Sequence, residues 1–441
     1  MKFSRKFDRL FFLCLVPLVK AYMIFETTCS TPNPQSEFMF VSSPNFRGTL
    51  DILWSSLFTI IACTWTLQHP NVPEQRNGRD PGRLGDLKWK LKGLYKSALR
   101  MFCTVIAPEM MIGAACGEMM SARRELEKMK AYAGDDPIAW TLSHSYYANM
   151  GGFVIRSKPA EGNSYNNPYH LIAEDIYQLR RKGYLQALPN ITVEEIEDLS
   201  KGDALVKVIA VGQILWTVLQ ILVRAVQRLP VSPLEVAVVA FAVCAVIIYS
   251  LYWNKPQQVY ATFTVLDYLD KEIPQDVLST IKEGAATFSI LKKMFFISEN
   301  SRLPGSTVSI GSLPQFSDSE ISLGLLATVV GATVFGVIHI IAWNFTFPST
   351  FELILWRCAS VYSAAYPLFS LLLRFACATI SVKLDIAIST MDSVFLSTNL
   401  PSACLYVVAR LIILAEIFRT LCFLPAGSYV STWASNIPHV A

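Results

Sequence analysis

Glu109 follows Pro108 directly, inside the otherwise apolar stretch Met101 to Met120. Proline disturbs a helix at such a point, and apolar surroundings disfavour the charged form of a carboxyl group. A carboxylic acid held neutral there can act as a general acid, opening an epoxide or protonating an alkene. The plainer alternative is a carboxylate at the membrane interface, satisfied by a neighbouring Lys or Arg. His144 and Asp51 are the candidate partners for such an acid. His144 sits in a polar block with Ser143, Ser145, Tyr146 and Tyr147, just ahead of Asn149 and Gly151-Gly152. Its competing role is a hydrogen-bonded histidine at a tight glycine turn. Adjacent Ser and His do not make a triad, whose partners are set by geometry, and the chain has no GxSxG elbow. Asp51, with Thr49, also fits the start of a helix as a capping residue and a first-turn acid.

Other ionisable groups interrupt apolar runs further on. His339 stands alone in a stretch of 31 residues, Ile321 to Phe351, that lacks Asp, Glu, Lys and Arg. An intramembrane histidine is a functional candidate, with hydrogen bonding inside a helical bundle as the plainer role. No second His or Cys accompanies it at metal-ligand spacing, so neither a metal nor a cofactor is expected. Glu416 and Arg419, three apart, are expected to pair on one helix face, as are Glu118 and Glu125 with Arg123 and Arg124 close by. Arg357 and Arg410 are candidates to face an interior cavity and hold an anionic group.

These groups have to be positioned by membrane-crossing helices. A run of 31 uncharged residues exceeds the roughly 20 needed to cross a hydrocarbon core. The 52% hydrophobic and 16% charged composition departs from soluble usage in the same direction. The net charge of +4 is spread along the chain and leaves no footprint for nucleic acid. Most of the ten cysteines lie in apolar segments and no CxxC occurs, so no disulfide framework is expected. The fold class is all-α, a polytopic helical membrane bundle. Spans are expected near Leu50–Gln68, Val208–Val223, Val236–Trp253, Ile321–Trp343, Leu353–Leu373 and Ala403–Leu424. A doubtful seventh segment, Met101 to Met120, reads as a broken helix, a re-entrant hairpin or an interfacial helix.

The N-terminus has the pattern of a signal peptide or signal anchor over residues 1–21, with a short extracytoplasmic segment at 22–49. The basic loop after the first span belongs in the cytoplasm by the positive-inside rule. If Met101 to Met120 does not cross, the polar regions at 121–203 and 255–319 lie on that same side. The Asn344 connector, a glycosylation acceptor with no Lys or Arg, is then outside; Arg224 and Arg228 stand against this arrangement. Within the polar regions, helices are expected over His170 to Leu188 and after Pro274, both suited to lie along the membrane surface. Thr192-Val193-Glu194-Glu195 matches a capping box, and Ser301 to Ser319 reads as a flexible loop. Trp residues near span ends fit an interfacial belt.

Several blocks carry a resemblance: Gly48 to Pro73, APEMM from Ala107 to Met111, ARRE from Ala122 to Glu125, Trp140 to Phe153, and the hairpin blocks Leu199 to Trp216 and Ser232 to Trp253. Together they touch most of the first 260 residues. They resemble a family of multi-pass membrane proteins of filamentous fungi, found beside secondary-metabolite genes. The resemblance implies that some members act as membrane-bound cyclases of isoprenoid intermediates. The leading expectation is therefore an endomembrane enzyme that cyclises or isomerises a lipophilic terpenoid or meroterpenoid substrate by acid catalysis. Glu109 would be the proton donor, Asp51 or His144 its partner, with no cofactor. The alternative is a transporter, channel or sensor, whose polar path would run by His339, Arg357 and Arg410.

Overall fold

The computed structural model describes residues 46–73, 80–132, 134, 136, 138–157, 168–202, 204–268, 273–283, 318–384 and 388–432. The expected signal segment, Cys29 and the Ser301 to Ser319 loop up to residue 317 lie outside the described residues. Among the described residues, six helices are long and apolar enough to cross a membrane. They are α1 (Thr49–Thr66), α7 (Ala204–Val226), α8 (Pro233–Leu251), α10 (Asp318–Ile340), α11 (Thr350–Leu384) and α12 (Ile388–Thr420). The protein is an all-α helical bundle with membrane character. The last two helices outrun their expected lengths: α11, with Pro367 inside it, continues to Leu384, and α12 accommodates Pro401 instead of starting after it.

The doubtful segment resolves into two helices, α2 (Arg83–Ile106) and α3 (Pro108–Met129), bent by 107° at Ala107. Which side each end occupies follows from α1 and α8, which run parallel. Their starts are joined by the ion pair of Arg47 with Glu235, and Gln257, just beyond α8, donates to the carbonyls of Thr66 and Gln68 just beyond α1. On α2, Arg100 donates to Gln68; on α3, Glu118 pairs with Lys255 at 2.6 Å. Both limbs of the hairpin thus meet the bundle at the same end. The tip lies deeper, where Val105 and Ile106 line a cavity with Ala237 and Phe241 from the first half of α8. The segment is a re-entrant hairpin.

The tip obeys the chemistry of a backbone in an apolar medium. A helix start leaves orphan N–H groups that lipid cannot satisfy. Pro108 at the first position of α3 has no N–H, Met110 donates to the Ala107 carbonyl at 3.1 Å, and the carboxylate of Glu109 lies at the positive end of the helix.

The hairpin is seated by small residues. Between apolar helices in lipid, association rests on close packing rather than on water exclusion. A Cβ on Gly113 would come within 1.8 Å of the Thr328 hydroxyl on α10, and one on Gly336 within 2.5 Å of the Ala364 backbone on α11. Gly113 lies against Gly324 and Thr328, and Glu109 against Gly331, so α3 and α10 are antiparallel. The bundle core gathers Ile52, Ile112, Phe241, Phe335, Trp356 and Ile413.

The two polar regions form one domain at the hairpin's end of the bundle. A three-stranded sheet, β1 (Phe153–Ser157), β2 (Tyr169–Leu171) and β3 (Phe263–Tyr268), has the order β2-β1-β3. Strand β1 is antiparallel to β2 but parallel to β3, which ties the second polar region into the first. Around the sheet stand α4 (Leu142–Asn149), α5 (Ala173–Arg181), α6 (Val193–Asp198) and α9 (Gln275–Glu283). The expectation that the two amphipathic helices lie on the membrane surface is corrected here. Ile176 and Leu179 of α5 and Val277 of α9 share one core, and Tyr184 donates to Asp276 and Lys182 to Thr280. Ile176, Leu179 and Val277 are thus spent on that shared core. The predicted capping box holds, with Thr192 N–H donating to Glu195 and Glu195 N–H to the Thr192 hydroxyl.

At the opposite end, the guanidinium of Arg224 is buried and donates to the carbonyls of Pro230, Gly427, Ser428 and Val430. It binds the α7–α8 turn to the chain after α12 and does not act as a free loop charge, which leaves exposed Arg228 as the one sign against the expected topology. Trp54 and Trp253 are exposed as a belt requires, whereas Trp356 is fully buried in the core.

The arrangement predicts that an epitope inserted at Gly134 and one inserted after Phe347 are reached from opposite sides of sealed microsomes. The same reading puts an epitope inserted after Asp80, ahead of the hairpin, on the same side as the one at Gly134; a crossing hairpin would separate those two.

Candidate functional site

Glu109 is 2% exposed, and its carboxylate is held from one helix. The Tyr406 hydroxyl of α12 donates to Oε1 at 2.7 Å, and Arg410 Nη2, one turn on, donates to Oε2 at 2.6 Å. The guanidinium of Arg410 lies over the ring of Phe335, 3.8 Å from its centroid. Both carboxylate oxygens accept, and a guanidinium is the partner of one, so Glu109 stands here as an anion. A neutral acid waiting to donate does not fit that bonding. The membrane-interface alternative is met in part: an arginine satisfies the carboxylate, but 301 residues away and in the bundle interior.

Arg410 is only partly used. Its Nε and Nη1 are buried without a hydrogen-bond partner. One face of Phe335 further on, His339 is fully buried and stacks at 4.6 Å between ring centroids. Its Nδ1 donates to the Phe335 carbonyl at 2.7 Å, so Nε2 carries a lone pair, and it too has no partner. Arg410, His339 and Phe335 line one small cavity, about 30 Å³, together with Val105 and Ile106 of the hairpin and Leu411 and Leu414 of α12. Half-exposed Val105, Ile106 and Leu414 and exposed Leu411 form its mouth, on the outer surface of the bundle. The site therefore offers donors from Arg410, an acceptor on His339 and a carboxylate behind them, in a space the size of one water or one oxygen-bearing head group.

The other expected partners are elsewhere. Asp51 is exposed at the far end of α1, where its carboxylate accepts from the Gly48 N–H at 2.7 Å as a cap. His144 is in the polar domain, fully buried and fully bonded. Thr141 N–H donates to its Nδ1, and its Nε2 donates to the Ile191 carbonyl at 2.7 Å. Its surroundings are those of a structural histidine. Glu109, His144 and Asp51 thus belong to three separate places. Arg357 is half-buried, donating to the Trp343 carbonyl and lying over that indole ring, and does not line the cavity. Arg419 pairs with Glu352 of α11 rather than with Glu416 on its own helix. Glu118 and Glu125 are paired structurally, with Lys255 and with Arg124 and Lys128. Among the described residues no cluster of three metal-ligating side chains occurs. Nothing in the sequence points to Tyr406 except its i, i+4 spacing to Arg410.

Two outcomes follow. Removing one partner of a buried ion pair strands the other, at about 3–5 kcal/mol. Glu109→Gln and Arg410→Gln should each lower the melting temperature in detergent, and the double variant should lose less than their sum, by about 0.5–3 kcal/mol. Strict additivity would contradict the pairing. In the polar domain, burial pushes His144 and His170 below the ordinary histidine range near 6.5. The unfolded chain then binds protons that the folded chain refuses, so stability is full above pH about 6.5 and falls on acidification, by up to about 1.4 kcal/mol per pH unit for each histidine. Melting curves between those conditions should show that slope, reduced in His144→Gln.

No curated protein and no solved structure matches the chain. A model of a family of unknown function, DUF8562, matches residues 18–308. That stretch includes Glu109 and its hairpin but not His339, Tyr406 or Arg410. As the match covers more than half of the 441 residues, the chain belongs to this family of unknown function, DUF8562.

Proposed function

We propose that this chain is a membrane-bound enzyme of fungal secondary metabolism, which isomerises or cyclises a lipophilic terpenoid or meroterpenoid intermediate by proton transfer without a cofactor. The observation that carries the reading is the Glu109–Arg410–Tyr406 cluster behind a cleft whose mouth is apolar. Ionisable groups inside a membrane bundle are costly and mark functional sites by default. The fungal and terpenoid part rests on the resemblance of the blocks from Gly48 to Trp253.

In this reading the free Nε and Nη1 of Arg410 take the oxygen of a substrate carbonyl or epoxide, and the guanidinium stabilises negative charge that develops there. Glu109, already ionised, removes a proton from a neighbouring carbon and returns it at another position, which is an isomerisation. Tyr406 is the hydroxyl placed to supply or hold a proton at Glu109 Oε1. The role of Glu109 is thus base before acid. A cavity of about 30 Å³ admits the polar head alone, so the hydrocarbon body stays at the cleft mouth among Val105, Ile106 and Leu411. That favours isomerisation near a head group over the folding of a whole prenyl chain.

One observation favours the second reading, a transporter or sensor. The N-terminus of α3 ends deep within the bundle, an arrangement that transporters use at substrate sites.

Membranes containing the protein, incubated in heavy water with a prenylated enone and with an epoxidised prenylated aromatic, separate the two. The enzyme reading expects deuterium incorporation or a rearranged product, reduced by about 100-fold or more in Glu109→Gln and in Arg410→Lys. Saturable uptake into vesicles with no turnover would replace it by the transporter reading.

A further inference from the structure

Helix α2 presents an apolar face that the bundle does not cover. Leu84, Leu87, Leu91, Leu94 and Tyr95 recur at helical spacing on one side, and each is more than half exposed. At 3.6 residues per turn, Lys88 and Lys92 border that stripe on one edge, and Arg83 and Lys90 on the other. From Arg83 to Arg100 the segment carries six basic residues against a single acid, Asp86. Lys88 leans to Asp80 at 3.1 Å, which leaves the segment strongly cationic.

The height of this helix is fixed by its anchors. Arg100 donates to Gln68, immediately past the end of the first membrane-length helix, and Val105 and Ile106 pack against the bundle at the cleft mouth. The exposed part of α2 therefore leaves the bundle at the level where α1 ends, which is where a bilayer surface would lie. An apolar stripe flanked by lysines at that level has the composition of a helix lying in an interface, with hydrocarbon under the leucines and phosphates beside the lysines. A second copy of the same face would bring six basic residues against six, and like charges across a contact are unfavourable.

We infer that α2, from Arg83 to Arg100, is a docking surface for anionic lipid of the leaflet on the polar-domain side. Seating it there has a consequence at the other end of the helix. Val105 and Ile106 form one wall of the cleft mouth in front of Arg410, so the lipid that holds α2 also holds that wall.

Hydrogen exchange over residues 83–100 of the full chain in nanodiscs tests this. With roughly a third anionic lipid, exchange should be about fivefold slower or more than in purely zwitterionic discs. Raising salt from about 0.05 M to about 0.5 M should shrink the difference. The Lys88→Gln, Lys90→Gln, Lys92→Gln, Lys96→Gln variant should lose it while keeping the zwitterionic-disc rate. Leu87→Ser with Leu91→Ser should exchange fast in both lipids, as loss of the apolar seat requires. Equal exchange of the unaltered chain in the two lipids would overturn the inference. So would protection that persists in lipid-free detergent and grows with protein concentration, which would assign the face to a second copy.

Discussion

The ion pair between Glu109 and Arg410 is the interaction on which the rest of the bundle depends. Two opposite charges in an apolar interior survive only if each satisfies the other at hydrogen-bond distance, because desolvation costs several kcal/mol per ion. Meeting that condition requires a re-entrant hairpin to deliver Glu109 to mid-bundle and a long helix to deliver Tyr406 and Arg410 to the same depth. The glycines that let α3 approach α10, and α10 approach α11, exist in service of that meeting. Pro108 serves it as well, since a helix start at that depth tolerates a residue with no N–H better than one whose N–H would be orphaned.

The pair also explains why the site is both stable and incomplete. One edge of the Arg410 guanidinium is spent on Glu109 and on the face of Phe335, while Nε and Nη1 remain without a partner beside the unpartnered Nε2 of His339. Buried polar groups are normally satisfied, and departures mark either function or a ligand's place. The polar domain follows the opposite rule. His144, whose residue type invited a catalytic role, has both ring nitrogens occupied, and it holds the start of α4 to the carbonyl of Ile191. A histidine with nothing left to offer is a structural element.

The legibility of these features in the sequence divides along physical lines. Hydrophobic runs and charge gaps are local, so the six membrane-length helices and the Pro108–Glu109 break could be read directly. The small sheet could not, because β1 and β3 are more than a hundred residues apart and each is too short to have a period of its own. The pairing of Glu109 with Arg410 is similarly remote, and i, i+3 spacing led to Glu416 as the partner of Arg419 when the nearer carboxylate in space is Glu352 on the adjacent helix. Spacing rules describe a helix in isolation, and in a bundle the facing helix competes. Arg224 is the clearest example. Its positive charge read as a topological signal, yet four backbone carbonyls enclose it.

The ionisation of Glu109 is the claim from which the paired site, the role as a base and the tolerance of a charge at that depth all descend. Infrared difference spectroscopy of the reconstituted protein, comparing the unaltered chain with Glu109→Gln, reads it directly. The paired arrangement predicts that the substitution removes carboxylate stretching bands. Loss of a protonated carboxylic-acid carbonyl band instead would mean that Glu109 stands neutral, and the ion pair would have to be abandoned.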